Sequence, residues 1–236
     1  MVAEWLQKLL ILQDRDSRCD GIQRQLDAIP GEISAEEANI KKLQETLATL
    51  ETEARDLEVR RLDLEGEVEQ TEAAIVKYKT QQMQVKKNEE YTALENEIKA
   101  LQGKISDLED TELEVLEAID AKTVELSHAR EDIGQQQKTL EAHIALLRQN
   151  FDSFASELED ARNAVSSCEA EIEAGVLQQY KYVKSQIKRP PVVVQMDDGR
   201  CLGCHLKVSG EVESEARKGK ELIRCDSCGR ILYFDR

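Results

Sequence analysis

Residues 201–230 read CLGCHLKVSGEVESEARKGKELIRCDSCGR, and this stretch decides the fold of the C-terminal end. It holds two Cys-x2-Cys pairs, Cys201 with Cys204 and Cys225 with Cys228, which are separated by the segment 205–224. Four thiolates at this spacing suit one tetrahedral Zn²⁺ ion and need no fifth ligand. The sequence therefore predicts a structural zinc site that leaves no position for water or substrate.

Two other interpretations of these cysteines remain open. In the first, the four thiols are unrelated or form two disulfide bonds. In the second, His205 competes with a cysteine as a metal ligand. The glycines favour the metal site, because Gly203 lies within the first pair and Gly229 follows the second. Flexible residues there allow tight turns whose backbone N–H groups point at the thiolates.

Short strands are expected on either side of the cysteines. Pro190-Pro191 stops any preceding helix, residues 192–194 (Val-Val-Val) read as an entering strand, and residues 231–234 (Ile-Leu-Tyr-Phe) read as a closing strand. So small a module buries little core, and we expect the metal to carry much of its folding free energy.

The chain before this module is a run of heptads. Eleven of the fourteen seam positions from Ile33 to Tyr78 are apolar, with successive seam positions alternately three and four apart. The pattern restarts at Tyr91, weakens after Val115 and slips by one position at Leu158. Such a sustained repeat predicts two long helices in a coiled coil.

The helices are joined by a short polar segment, so they must run antiparallel. We expect the tip of this hairpin near residues 82–88 and a break or kink at Pro30-Gly31. The predicted fold is mainly α: a long kinked antiparallel coiled-coil hairpin (residues 1–182) followed by a linker and a small β zinc ribbon (residues 183–236). Heptads alone leave the oligomeric state open.

Charge is distributed unevenly along the 236 residues. Residues 1–180 hold 20 Lys+Arg and 40 Asp+Glu, whereas residues 181–236 hold 12 and 8. No apolar run is long enough for a membrane-spanning helix, and the start of the chain has no signal-peptide pattern. Two further cysteines, Cys19 and Cys168, fit a reducing compartment. We therefore predict a cytoplasmic protein that has no membrane partner.

Two basic clusters are the candidate binding residues. The tip cluster, in a stretch without acids from Ala73 to Asn88, consists of Lys77, Lys79, Lys86 and Lys87. The ribbon cluster consists of Lys184, Lys188, Arg189, Arg217, Lys218 and Lys220. Each cluster suits a phosphate backbone or an acidic protein surface. The alternative is that both are ordinary solvated turns.

No pattern in the sequence indicates an enzyme. The histidines, His128, His143 and His205, have no nucleophile or carboxylate arrangement beside them, and there is no phosphate-binding glycine loop. We predict no catalytic residue and no small-molecule substrate.

Several motifs resemble a known family. They are Leu9–Gln13 with Asp16, Lys87–Leu94 with Glu97-Ile98, Cys201-Leu202-Gly203-Cys204, and Cys225–Tyr233. The chain resembles the bacterial zinc-ribbon/coiled-coil family that is often labelled a predicted nucleic-acid-binding protein with a C-terminal four-cysteine ribbon. The resemblance implies a hairpin carrying a zinc ribbon and an adaptor or binding role in gene expression. Members have been linked to an alternative sigma factor of RNA polymerase and to RNA. Asp226 departs from the family, which often has proline there.

These observations together predict a non-enzymatic adaptor. Its expected partner is a protein, such as a sigma factor or another transcription component. The alternative is direct binding of RNA or DNA through the two basic clusters.

Overall fold

The computed structural model describes residues 3–187 and 189–235. In these ranges the elements, in chain order, are α1 (Glu4–Gln82), α2 (Asn88–Ala170), α3 (Ala174–Gln186), β1 (Val193–Asp197), β2 (Arg200–Cys201), α4 (Gly210–Lys218), β3 (Ile223–Arg224) and β4 (Ile231–Tyr233). The predicted class, a helical hairpin followed by a small C-terminal sheet, is confirmed. No helix in the described part of the chain has an apolar stretch long enough to cross a membrane.

Contacts divide the chain into two compact units. One unit combines Met1–Ser34 with Ala145–Arg236, and the other is Ala35–Ile144. The sheet and its cysteines thus belong to the same unit as the start of α1. The domain boundary predicted at residue 182 falls inside the segment Ala145–Arg236, which these contacts keep in one unit. That boundary stays a prediction.

In the unit Ala35–Ile144, α1 and α2 run antiparallel. Three polar side-chain pairs join them: Glu36 with His143 (3.1 Å), Glu51 with Arg130 (2.8 Å) and Glu53 with Lys122 (2.9 Å). Residue numbers rise along α1 as their partners' numbers fall along α2. The connection is residues 83–87, within the range that the heptads predicted for the tip.

The seam of this unit is closed by the predicted apolar positions. Leu64 and Ile75 of α1 and Ile98 and Ile133 of α2 are buried. Arg61 occupies a seam position, and its guanidinium is bound by Glu58 and Glu65 at 3.2 and 3.3 Å. Arg61 is thus a charged interruption of a mostly apolar seam, and its neighbours on α1 neutralise it.

Two expectations about the helices need correction. Pro30 lies inside α1, which continues from Glu4 to Gln82, so the helix does not break there. Whether it bends there stays a prediction. The second helix, expected to continue towards residue 182, ends at Ala170, and α3 follows after a short turn. Ile172 in that turn is buried in the core. A continuous helix would also bury Ile172, because it stands at a seam position of the heptad pattern. The heptad pattern therefore carries no signal of the break.

The core of the unit formed by Met1–Ser34 and Ala145–Arg236 joins three segments. Its fully or nearly buried members are Leu6, Leu9 and Leu12 of α1, Ile172, Tyr180 and Val183 around α3, and Val192, Val193 and Ile231 of the ribbon. The start of α1 thus packs against both α3 and the sheet. A second, smaller core lies within the ribbon and includes Met196, Val208 and Leu232.

The sheet has the strand order β2-β1-β4-β3. β1 pairs with β4 in parallel, with Val193 opposite Ile231, while β2 and β3 pair antiparallel with β1 and β4. The two predicted strands are therefore the central pair. This pairing brings residues on either side of both cysteine pairs together.

Candidate metal centre and its surroundings

The four cysteines form a single cluster of sulfur atoms. Their Sγ atoms all lie within 4.8 Å of one another, with 3.8 Å between Cys201 and Cys228 and 3.9 Å between Cys204 and Cys225. A tetrahedral Zn²⁺ ion with Zn–S bonds of about 2.3 Å requires sulfurs about 3.8 Å apart. The cluster fits that geometry, so the predicted ligand set and the structural zinc ion are supported.

The two cysteine pairs have the same backbone geometry. In each, the residue after the second cysteine donates its N–H to the carbonyl of the first: His205 to Cys201 at 2.7 Å and Gly229 to Cys225 at 2.9 Å. Both donors have left-handed φ angles, 61° and 73°. We call each of these turns, from the first cysteine to the N–H donor, a knuckle. The left-handed residue of the first knuckle is therefore a histidine, and Gly203 has another role.

Gly203 gives Arg230 room to cross the first knuckle. A Cβ atom at Gly203 would lie 2.5 Å from Cδ of Arg230 and 3.1 Å from Cγ1 of Val194. The guanidinium of Arg230 donates to the carbonyls of Pro191 (2.9 Å) and Arg189 (3.0 Å). Arg230 thus ties the second knuckle to the chain entering β1, and it passes directly over the first knuckle.

Burial and hydrogen bonding act in opposite directions on the thiols. Burial raises the pKa of Cys201 to about 12, although the N–H groups of Gly203 and Cys204 oppose the rise. Burial also raises the pKa of Cys225. These N–H groups point at sulfur as the sequence predicted. Bound Zn²⁺ would hold the thiolate forms, because a coordinating thiol loses its proton.

The pKa of Cys228 shifts in the opposite direction to those of Cys201 and Cys225. Burial raises its pKa, but the backbone N–H and the side chain of Arg230, together with Cys204 and Cys225, lower it overall to about 7. Cys228 therefore reaches its thiolate form more readily than Cys201 or Cys225 does.

His205 does not join the cluster. Its side chain is exposed, and the metal-ligand group found in the described residues contains the four cysteines alone. The alternative in which His205 competes as a ligand is therefore not supported.

The ribbon is held on the start of α1 by a polar side chain. Nε2 of Gln13 donates to the carbonyl of Val193 at 3.1 Å, and Oε1 of Gln13 accepts from the N–H of Val193 at 2.5 Å. Gln13 therefore pairs with β1 as a backbone amide would. No role was predicted for this residue, although it lies in the quoted motif at the start of the chain.

Asp16 is a buried anchor next to Gln13. The residue is 9% exposed, and its carboxylate accepts from the hydroxyl of Tyr180 at 2.8 Å and lies 3.1 Å from Nζ of Lys184. Burial, followed by the bond to Asp16, raises the pKa of Tyr180 well above its usual range. This network fixes α3 on α1. It escaped sequence reasoning because Tyr180 and Lys184 lie near the opposite end of the chain from Asp16.

Comparison with known families agrees with this architecture. The family model of the CT398-like coiled coil hairpin domain matches residues 12–188, and that of the C4-type zinc ribbon domain matches residues 200–232. The chain belongs to the CT398-like coiled coil hairpin family. The resemblance seen in the sequence is thereby confirmed for the hairpin and the ribbon.

Two sequence relatives of this family member come from one bacterial species. Two Mycobacterium tuberculosis sequences, the uncharacterized proteins Rv2229c and MT2288, are each 28% identical to it over 143 residues. The match covers 59% of this chain, and the chain spans 57% of the length of these curated relatives.

Solved structures show the same fold. CT398 from Chlamydia trachomatis matches with a TM-score of 0.84 at 22% identity, over 98% of each chain. A Mycobacterium smegmatis structure matches with 0.72 at 18% identity over 100% of each chain. HP0958 from Helicobacter pylori matches with 0.57 at 15% identity, over 100% of this chain and 99% of its own. At these identities the similarity establishes the fold alone.

Much of the ribbon cluster is neutralised within this family member. Lys184 is bound by Asp16 and Asp20, at 3.1 and 3.5 Å. Nη2 of Arg217 lies 2.7 Å from Glu213, and Nζ of Lys218 lies 2.5 Å from Glu215. The ion pairs of Arg217 and Lys218 both lie on α4, a segment for which the sequence left open a basic binding face or an ordinary surface turn.

The remaining ribbon-cluster residues are less constrained. Lys220 is exposed and has no ion pair among residues 3–187 and 189–235. The side chain of Arg189 is also exposed, while its carbonyl accepts from Arg230. Lys188 lies outside the described residues. The six predicted residues therefore do not form one free basic face.

Helix α4 had recognisable capping signals. Ser209 caps its N-terminus by accepting from the N–H of Val212, and Gly219 ends it in a left-handed conformation with φ of 63°. The carboxylate of Asp226 accepts from the N–H of Ser209 at 3.0 Å. Its charge thus lies at the N-terminus of α4, where the helix dipole favours an acid.

The tip cluster keeps its charges available. Lys77, Lys79 and Lys86 are exposed and have no ion pair among the residues that the structure describes. Lys87 lies 3.4 Å from Glu90, and that pair is itself exposed. Three of the four tip-cluster lysines thus carry a charge that no ion pair among the described residues compensates.

Proposed function

We propose that this protein is a non-enzymatic cytoplasmic adaptor that binds a protein partner of the transcription apparatus, such as a sigma factor. The observation that carries the proposal is the closed sulfur cluster. Four thiolates complete the metal shell, so the ion has no open position at which to activate water or a substrate. Its contribution is to fold the ribbon.

The anchoring of the ribbon supports the same function. Gln13 pairs with the backbone of Val193, and Asp16 holds α3 through Tyr180 and Lys184. The metal module is thus part of a fixed platform with the start of the hairpin. A ribbon fixed in this way keeps its surface residues in a constant arrangement, and we expect the residues that bind the partner to lie on that surface.

Charge also favours a protein partner over nucleic acid along most of the chain. Residues 1–180 hold 40 acids against 20 bases, and such a surface repels a phosphate backbone. A partner with a basic surface is attracted to it.

The test is an affinity capture of the full-length, zinc-loaded protein from native lysate after mild crosslinking. We expect a component of transcription or RNA processing to be enriched over a capture with an unrelated coiled coil of equal charge. Recovery of no such component would count against the adaptor function.

Direct nucleic-acid binding at the tip cluster is the second candidate, favoured by the three tip lysines that have no ion pair in the described part of the chain. In that case affinity for RNA or DNA falls steeply with salt, because bound phosphates release counterions. Lys86→Glu/Lys87→Glu abolishes binding in that case. Binding that ignores both salt and this charge reversal rejects the candidate.

A further inference from the structure

We propose that the hairpin tip, residues 73–94, is the docking site for an acidic amphipathic segment of a protein partner. Lysines of the tip cluster bind its carboxylates, and exposed apolar side chains of the tip bind its apolar face. The proposal rests on the adaptor function and specifies the chemistry of the partner segment.

The tip exposes several large apolar side chains. Met83 is 87% exposed, Val76 64% and Tyr91 47%. Exposed apolar groups that lie close together mark interaction sites. Methionine suits such a site because its flexible thioether adapts to different partners.

One helix face combines apolar and basic groups. Val76, Lys79 and Met83 follow the three-then-four spacing of one helix face, and the N–H of Met83 donates to the carbonyl of Lys79 at 3.2 Å. Helical geometry therefore continues to Met83, and the three side chains share one face at the end of α1. This face fits a segment that alternates acidic and apolar groups.

A second apolar feature lies where α1 meets the start of α2. A shallow depression of about 490 Å³ is lined by Gln81, Gln84, Val85, Glu90, Ala93 and Leu94. Val85 and Leu94 are half-buried in it. The depression has room for one aliphatic or aromatic side chain of a partner.

The charges at the tip select an acidic occupant. There is no acid from Ala73 to Asn88, and the nearest acids, Glu72, Glu89 and Glu90, flank the stretch. Glu90 is paired with Lys87. The positive region is therefore confined to the tip by acidic flanks, which suits a short acidic segment.

Nucleic acid fits the tip less well. A phosphate backbone gains nothing from Val76 and Met83, and stacking of successive bases needs several exposed aromatic rings. The tip exposes Tyr91, while Tyr78 is half-buried. A strand longer than the tip would also meet the acidic flanks of the hairpin.

The test is selection of a random library of short peptides, long enough for about four helical turns, on the full-length protein, alongside a random single-stranded RNA pool. We expect the selected peptides to carry several acids and apolar residues at helical spacing. Their affinity should fall at least about tenfold for Met83→Ser and for Lys79→Glu. The matched control, Lys41→Glu/Lys42→Glu on the same helix, should change it less than about twofold.

Each outcome decides the proposal. The proposal is overturned if no peptide is selected, if the selected peptides lack acids, or if they bind both tip variants as tightly as wild type. It is also overturned if RNA binding, and not peptide binding, is lost in the tip variants. Helical circular dichroism and zinc content confirm that the variants are folded. Selection of acidic peptides on the tip, with no transcription component captured from lysate, rejects the adaptor's proposed partner while retaining the site.

Discussion

Gly203 illustrates how closely the two knuckles approach each other. The side chain of Arg230 passes over it and is held by two carbonyls on the chain entering β1. Arg230 also donates to Cys228 and helps to lower the pKa of that thiol to about 7. A single arginine therefore links the metal ligands to the anchored strand.

We expect Gly203→Ala to destabilise the zinc-loaded ribbon by about 1–3 kcal/mol, because the added methyl group displaces Arg230. Thermal unfolding with excess Zn²⁺ measures the effect. Gly210→Ala is the control, since nothing lies within 4 Å of a Cβ at Gly210. Equal midpoints of thermal unfolding for the two variants would show that the first knuckle accommodates a methyl group without displacing Arg230.

Asp16→Asn tests the buried anchor. The substitution leaves Lys184 without its nearer carboxylate, and we expect a loss of about 1–3 kcal/mol. Hydrogen exchange of α3 amides should rise with it. Asp20→Asn removes a 3.5 Å partner that is 50% exposed and should have little effect. The prediction fails if α3 exchanges alike in both variants.

At the scale of elements, each helix is stabilised by a different interaction. The seam of α1 and α2 is mostly apolar, α3 is held by the Asp16 network, and α4 is capped by Ser209 and Gly219. The strands are short, and we expect the bound metal to stabilise them. Disturbing one interaction should therefore affect one element.

Arg61→Leu should raise the midpoint of thermal unfolding. It restores an apolar seam position and removes a charge that α1 now has to neutralise with Glu58 and Glu65. Arg60→Leu, at an exposed position outside the seam, is the control and should give no increase. A lower midpoint for Arg61→Leu would mean that its ion pairs outweigh seam packing.

Removal of the metal should unfold the ribbon and spare the hairpin. With a strong chelator we expect β2, β3 and α4 to lose amide protection, because metal binding supplies about 10–16 kcal/mol in small zinc modules. Residues 35–144 should keep theirs. Cys204→Ser should also reduce bound zinc from one ion per chain, whereas Cys168→Ser should not. Protection that survives chelation would contradict a metal-dependent ribbon.

At the scale of the whole molecule, charge is the dominant feature. The net formal charge of −16 arises from the hairpin, while the tip cluster and the ribbon end are basic. Repulsion among the acids opposes folding, and salt screens it. The same screening weakens any contact made by the tip cluster.

We therefore expect moderate NaCl to raise the midpoint of thermal unfolding while it weakens binding at the tip. Thermal scans and peptide titrations across the same salt series measure the two effects. Sucrose, which stabilises without screening charge, is the control and should leave tip binding unchanged. A midpoint that falls with salt would mean that the ion pairs of the hairpin outweigh its repulsion.

Local patterns were sufficient for much of this protein. The four ligands, the antiparallel helices, the apolar seam at Leu64, Ile75, Ile98 and Ile133, and the central strands were all predictable from spacing. Each depends on neighbours close in sequence or on a periodic repeat. Ser209 and Gly219 also carried the capping signal of α4, which was present but not used.

Other features depended on contacts between segments far apart in the chain. The turn before α3, the pairing of Gln13 with Val193, the burial of Asp16 and the close approach of Arg230 to Gly203 are of this kind. Three-dimensional packing also neutralised Lys184, whose partners lie in the first turns of α1. A repeat or a spacing reports the geometry of its own segment. It cannot report which distant carboxylate, carbonyl or glycine the folded chain brings to that segment.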